Sequence, residues 1–223
     1  MPRVRGPMAA RPEGDGPLLN ARLFGDHDRG GYDVAVSPDA LPWSWPATFG
    51  REAPLTLEIG FNRGKFLSEL AQAWPDHDHV GIEVSRRFAW RLHHLLSAHG
   101  PENVRIVWAD ARAATPALFQ PGSLQAVFIN FPDPWWKKRH HKRRLVQGPF
   151  AAQLAELLAP GGRVWVKSDV ADIAAEIDES LAAVPAFGDR TTFGVDDLPL
   201  TFREVRCVRT GLPIHRFHYT RQG

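Results

Sequence analysis

LTLEIGFNRGKFLSELAQAWPDHDHVGIEV, residues 55–84, is the stretch on which the fold turns. It opens with a short apolar run that ends on Gly60. Phe66, Leu67, Leu70, Ala71 and Trp74 then recur at helical spacing, and HVGIEV (79–84) is a second strand-like run. Strand, helix and strand in succession are the unit of a parallel sheet whose faces are covered by helices.

Downstream the unit repeats. Phe88, Leu92, Leu95 and Leu96 mark a helix after the second strand, and VRIVWAD (104–110) precedes a weak helix expected from Pro116. LQAVFIN (124–130) precedes a helix from Pro149 with Leu154, Leu157 and Leu158, and GRVWVKSD (162–169) leads into DIAAEIDESLAAV. About five β-α repeats predict an α/β fold with a mostly parallel sheet covered on both faces. The terminal REVRCVRTGLPIHRFHYTR reads as two extended runs around Gly211 and Pro213, an antiparallel edge hairpin. Upstream, residues 1–54 hold 15 of the 38 prolines and glycines with no sustained period, so residues 1–50 read as a Pro/Gly-rich, partly flexible arm and 51–223 as the body. The apolar patch 41–49, with Trp43 and Trp45, is expected to dock on that body.

The 223 residues, 43% hydrophobic and 23% charged, suffice for one core-bearing domain with an extension and exclude disorder throughout. A single cysteine, Cys207, rules out an intramolecular disulfide and a Cys-rich zinc site, and fits a reducing, cytoplasmic setting. No apolar run is long enough for a membrane span, and no apolar segment follows the first arginines as a secretory signal requires. Net charge is only +2, but residues 137–144 read KKRHHKRR, a basic knot on a mildly acidic body. Arg203, Arg206, Arg209, Arg216 and Arg221 add a second basic segment, the distribution expected of a nucleic-acid binder.

In an open parallel sheet, ligands bind beyond the carboxyl ends of the strands. Those ends carry Glu58, Gly60 and Gly64; Glu83; Asp110; Asn130 with the loop up to Trp135; and Lys167 with Asp169. The glycine turn GFNRG has Asn62 and Lys65 where a dinucleotide fingerprint needs glycine, and it lacks the ending of a triphosphate loop. It is followed, at Glu83, by a carboxylate suited to both hydroxyls of a ribose. A nucleoside without pyrophosphate fits best, with S-adenosylmethionine the common case. Glu58 and Asp110 would then meet its cationic or amine-bearing parts.

NFPDPWWKKRHHKRR (130–144) joins a stiff loop to cations. Two prolines flank Asp133 and fix its direction, and Trp135 and Trp136 offer surfaces for a stacked base. An aromatic and basic loop beside a cofactor pocket points to a nucleic-acid base presented to a methyl donor. Adjacent His140 and His141, set among cations, make a poor metal site, and none is expected.

On these residues the chain resembles the bacterial tRNA (guanine-N7-)-methyltransferases, within the class I S-adenosylmethionine-dependent superfamily. The likeness runs over residues 55–221 through LEIGF, GIEV, Asp110-Ala111, FPDPWWKKRHHKRR, LAPGGRVWVKSD and TFRE with GLPIH. It implies a Rossmann-like class I methyltransferase fold for 51–223 and transfer of methyl from S-adenosylmethionine to N7 of a guanine in the tRNA variable loop. It further implies cofactor contacts from Glu58, Glu83, Asp110 and Asp133, and tRNA or guanine contacts from Lys137, Asp169, Thr201, Phe202, Arg203 and Glu204. Asp133 or Asp169 would stabilise the charge arriving on the base, with Glu204 a third candidate for reading its edge. Two positions depart from the family pattern: Asn62 stands where glycine is usual, and Phe202-Arg203 where Lys-Phe is usual. Two other readings stay open, a tRNA-binding module with a decayed pocket, motivated by Asn62, and a methyltransferase acting on an exocyclic amine.

Overall fold

A computed structural model describes residues 22–24, 34–35 and 43–223, so most of the arm expected over 1–50 lies outside the described residues. In chain order the elements are β1 (Arg22–Phe24), β2 (Val34–Ala35), α1 (Trp45–Phe49), β3 (Leu55–Ile59), α2 (Lys65–Ala73), β4 (Asp78–Glu83), α3 (Arg86–His99), β5 (Val104–Trp108), α4 (Ala111–Leu118) and β6 (Leu124–Asn130). A 3₁₀ turn (Lys138–Arg143), α5 (Gly148–Leu157), β7 (Leu158–Ser168), α6 (Ala171–Ala182), β8 (Thr191–Thr192), α7 (Phe202–Thr210) and β9 (His215–Thr220) complete it.

The strands form one sheet in the order β2-β1-β5-β4-β3-β6-β7-β9-β8. Its five central strands are parallel, and both edges are antiparallel. From β3 the chain steps outward to β4 and β5, then crosses back to lay β6 on the other side of β3. This reversal of strand order opens a crevice beyond the carboxyl ends of β3 and β6. Every residue of β3 and β4 is buried, the polar Thr56, Glu58, Asp78, His79 and Glu83 along with their apolar neighbours, as expected of central strands covered on both faces. Along β6 the side chains alternate. Val127 and Ile129 pack with α4, α5 and α6, while Ala126 and Phe128 pack with Phe66 and Leu70 of α2 on the opposite face.

Trp45 docks as expected. Its indole Nε1 donates to the Leu118 carbonyl at 2.7 Å, and its ring stacks on Phe119 at 5.3 Å. Two expectations need correction. The helix after β5 starts at Ala111 rather than Pro116, because Asp110 caps it by accepting from the Arg112 backbone N–H at 3.0 Å. At the C-terminus the edge is antiparallel, but the first of the two supposed extended runs is the helix α7. Thr201 and Glu204 form a reciprocal capping box at its start, and Gly211, with φ 68°, closes its end in the left-handed conformation. β9 therefore pairs with β7 and with the two-residue β8, not with a hairpin partner.

Candidate active site

A cavity of about 590 Å³ opens at the carboxyl ends of β3, β4, β5 and β6. Gly60, Asn62, Glu83, Asp110, Asp133 and Trp135 are among its lining residues, so four strand ends contribute to one volume. That size falls within the 300–1,000 Å³ range typical of small-molecule sites.

The turn after β3 builds one wall. Gly60, Asn62 and Gly64 all have positive φ, at 78°, 52° and 75°. At Gly64 a Cβ would also meet the Leu92 side chain at 2.3 Å, so only glycine lets α2 and α3 approach this closely. Asn62 adopts the left-handed backbone that asparagine tolerates, so the departure from glycine leaves the turn intact. Its N–H donates to Glu83 Oε2 at 2.9 Å, and the Ser85 N–H donates to Oε1 at 2.8 Å. Two backbone donors thus fix the direction of the Glu83 carboxylate beside the cavity. Asp110 is fixed by its capping bond. Asp133 is exposed at the rim between its two prolines, with Phe131 and Trp135 on either side of that triplet also at positive φ, 51° and 45°.

Glu58 lies beneath the cavity rather than on its wall. Asn130, a lining residue, donates through Nδ2 to Glu58 Oε1 at 2.9 Å, while Oε2 is buried with no hydrogen-bond partner. Burial raises its pKa from 4.5 to about 8, against the opposing pull of Asn130 and Lys167, so the carboxyl is mainly protonated at neutral pH. A buried acid with an idle oxygen suits a cationic or amine-bearing group supplied from outside.

The residues expected to meet RNA fall into two sets. Lys137 is exposed at the head of the 3₁₀ turn, and Trp136 beside it is 71% exposed. Trp135 is not a free stacking surface, because His140 stands edge-on to it at 5.8 Å and the Arg143 guanidinium lies over it at 5.1 Å. In the second set, Asp169 Oδ2 accepts from Arg203 Nε at 3.1 Å, and the Arg63 guanidinium lies 5.8 Å from the Phe202 ring. Thr201 Oγ1 serves as the α7 cap. Glu204 faces inward. It is fully buried, with Oε2 accepting from Lys167 Nζ at 2.8 Å and Oε1 from Arg216 Nε at 2.9 Å, so it braces β7, α7 and β9 instead of presenting an edge to a base.

Sequence reasoning missed the parts played by Lys167 and Arg216 in holding Glu204. For α7 a signal was present, since Thr-x-x-Glu at 201–204 is a capping-box pattern. Among the described residues, no group of three or more His, Cys, Asp or Glu is arranged to hold a metal, and no helix is long and apolar enough to cross a membrane.

The strand order, the glycine turn and the acids around the cavity define a class I methyltransferase fold. Two solved structures share it: the 16S rRNA methyltransferase KamB, with a TM-score of 0.62 at 15% identity over 91% of this chain and 100% of that one, and the antibiotic-resistance methyltransferase Kmr, with 0.56 at 18% over 90% and 99%. Residues 52–215 match a family model described as a putative methyltransferase. A tRNA (guanine-N(7)-)-methyltransferase of Synechococcus sp. is 39% identical over 81% of this chain and 78% of its own length. One of Bordetella parapertussis is 40% identical over 82% and 72%. The chain belongs to the tRNA (guanine-N(7)-)-methyltransferase family.

Proposed function

We propose that this protein transfers a methyl group from S-adenosylmethionine to N7 of a guanine in the variable loop of tRNA, working in the cytoplasm. The observation that carries the reading is the cavity in which Glu83 and Asp133 meet, with Arg143 of the basic 137–144 run also lining it. Glu83 accepts from the ribose hydroxyls, and Asp110 and Glu58 take the amine-bearing parts. The buried, idle Glu58 Oε2 and the backbone-held Glu83 fit such a cofactor. Bound there, S-adenosylmethionine supplies an electrophilic methyl on a sulfonium, whose S–C bond breaks as the N7 lone pair forms the new bond.

N7 carries no proton to be removed, so the protein's work is placement, which contributes on the order of 7 to 11 kcal/mol at best for well-aligned reactants. Lys137 and its neighbours hold phosphates. Asp133, on its proline-stiffened loop, and Asp169, beside Phe202 and Arg203, offer carboxylates where positive charge arrives on the imidazole ring. Thr201 and Glu204 fix α7, and through it Phe202 and Arg203. The test is to incubate the protein with unmodified tRNA and labelled methyl donor, then digest the RNA and map the label. The expected product is 7-methylguanine. Label on an exocyclic amine, or cofactor binding without transfer, would overturn the reading.

A further inference from the structure

The loop after β6 holds two aromatic residues, Phe131 and Trp135, in left-handed backbone. Such conformations are costly for bulky side chains and persist only where the surroundings impose them. Between them Asp133 is aimed by Pro132 and Pro134. The near end is tied down by the Phe131 N–H, which donates to the Lys167 carbonyl at 2.7 Å.

Two arginines hold the far end. Arg144 turns back on its own loop, with Nε donating to the Pro134 carbonyl at 2.9 Å, Nη2 meeting His141 Nε2 at 3.0 Å and Nη1 pairing with Glu176 of α6. Arg112 reaches over from the first turn of α4. Its guanidinium donates to the Lys142 carbonyl at 3.3 Å and to the Arg144 carbonyl. Electrostatics alone would not put it there, because the segment it meets contains Lys142, Arg143 and Arg144, whose charges repel it. The backbone carbonyls provide the attraction. Arg112 lines the same cavity as Asp110 and Asp133 and is only two residues past Asp110.

We propose that Arg112 is a positioning residue: its guanidinium clamps the strained 131–144 loop from the β5 side and keeps Asp133 and Trp135 on the cavity wall. Its kinetic readout rests on the methyltransferase reading, while the clamp itself is testable without any activity. Arg112→Ala removes the guanidinium but keeps the backbone N–H that Asp110 accepts, so the α4 cap survives. Limited digestion with trypsin, read by mass spectrometry, reports opening of the loop through cleavage after Lys137, Lys138, Arg139, Lys142 and Arg143.

In Arg112→Ala these cuts are expected about tenfold faster, the scale set by losing a charge-assisted hydrogen bond, with the melting temperature lowered by only a few degrees. kcat for tRNA should fall by a similar factor, and Arg112→Lys, which reaches one carbonyl at most, should lie between the two. Unchanged cleavage overturns the clamp, as does faster cleavage with kcat intact or a lower melting temperature without loop-selective cleavage. If the unsubstituted protein makes no 7-methylguanine, the functional reading fails, and the cleavage comparison alone decides the clamp.

Discussion

Replacing Glu58 with glutamine tests the buried acid directly. In the unfolded chain this carboxyl ionises near 4.5, whereas in the folded protein burial holds the proton up to about 8. Below 4.5 both states are protonated and the group adds no pH dependence. Between 4.5 and about 8 the folded state keeps a proton that the unfolded state has released, so stability falls as pH rises, and it levels off above 8. The slope approaches about 1.4 kcal/mol per pH unit, or on the order of 5 kcal/mol across the window for a side chain as buried as this one. Glutamine imitates the protonated acid and retains an oxygen for Asn130. Urea unfolding of both proteins from pH 4 to 9 is the assay, and taking their difference cancels every other titrating group. The two should be about equally stable near pH 4.5, and Glu58→Gln should be the more stable by several kcal/mol at pH 8. Parallel stability curves would refute the assignment of a buried, protonated Glu58.

Three further outcomes follow from the geometry. In the basic run Lys137, Lys138, Arg139 and Lys142 stand exposed, while Arg143 lies over Trp135 and Arg144 pairs with Glu176. Four phosphate contacts give a slope of log affinity against log salt between about −2.8 and −3.6, and Lys142→Ala should reduce its size by about 0.7 to 0.9 in a filter-binding titration with tRNA. Lys167→Met leaves the fully buried Glu204 with Arg216 alone, so unfolding free energy should drop by about 3 to 5 kcal/mol, measured by urea melts. Asn62→Gly should leave calorimetric cofactor affinity unchanged, whereas Asn62→Val, forced to φ 52°, should cost about 1 to 3 kcal/mol in stability, in cofactor binding or in both.

The strand ends were legible because their signals are local. β3 and β4 are buried throughout and β6 nearly so, each carries apolar residues toward its carboxyl end, and in a parallel sheet the residues at and just past that end stand at the ligand edge. Glu83, Asp110 and Asp133 reach one cavity for that reason. The direction in which Glu204 points is not local. It depends on Lys167, 37 residues earlier, and Arg216, 12 residues later, which meet it only once β9 lies against β7. Helix α7 eluded a pattern reading because Val205, Cys207 and Val208 look extended, yet the capping box and Gly211 close a helix around them. In the same way Arg144 counts as one more cation in the sequence, while in the fold it is a brace.

The state of Glu58 also bears on how the cavity tolerates its own charge. Glu83 and Asp110 each accept from backbone N–H donors, and Glu83 is among the groups that push the Glu58 proton on. A protonated Glu58 spares the site one negative charge until a cation arrives. If an amine-bearing end of the cofactor lies at the Glu58 end of the cavity, its positive charge favours the carboxylate, and binding at pH 7 must expel a proton. Calorimetric titration in buffers of different ionisation enthalpy counts that proton. Release approaching one per cofactor is expected at pH 7, with little at pH 9, where the carboxyl has already ionised, and little in Glu58→Gln at either pH. Equal proton release by the two proteins at pH 7 would mean that the cofactor's charge settles elsewhere, against Asp110 or Asp133, and that Glu58 serves the packing of β3 alone.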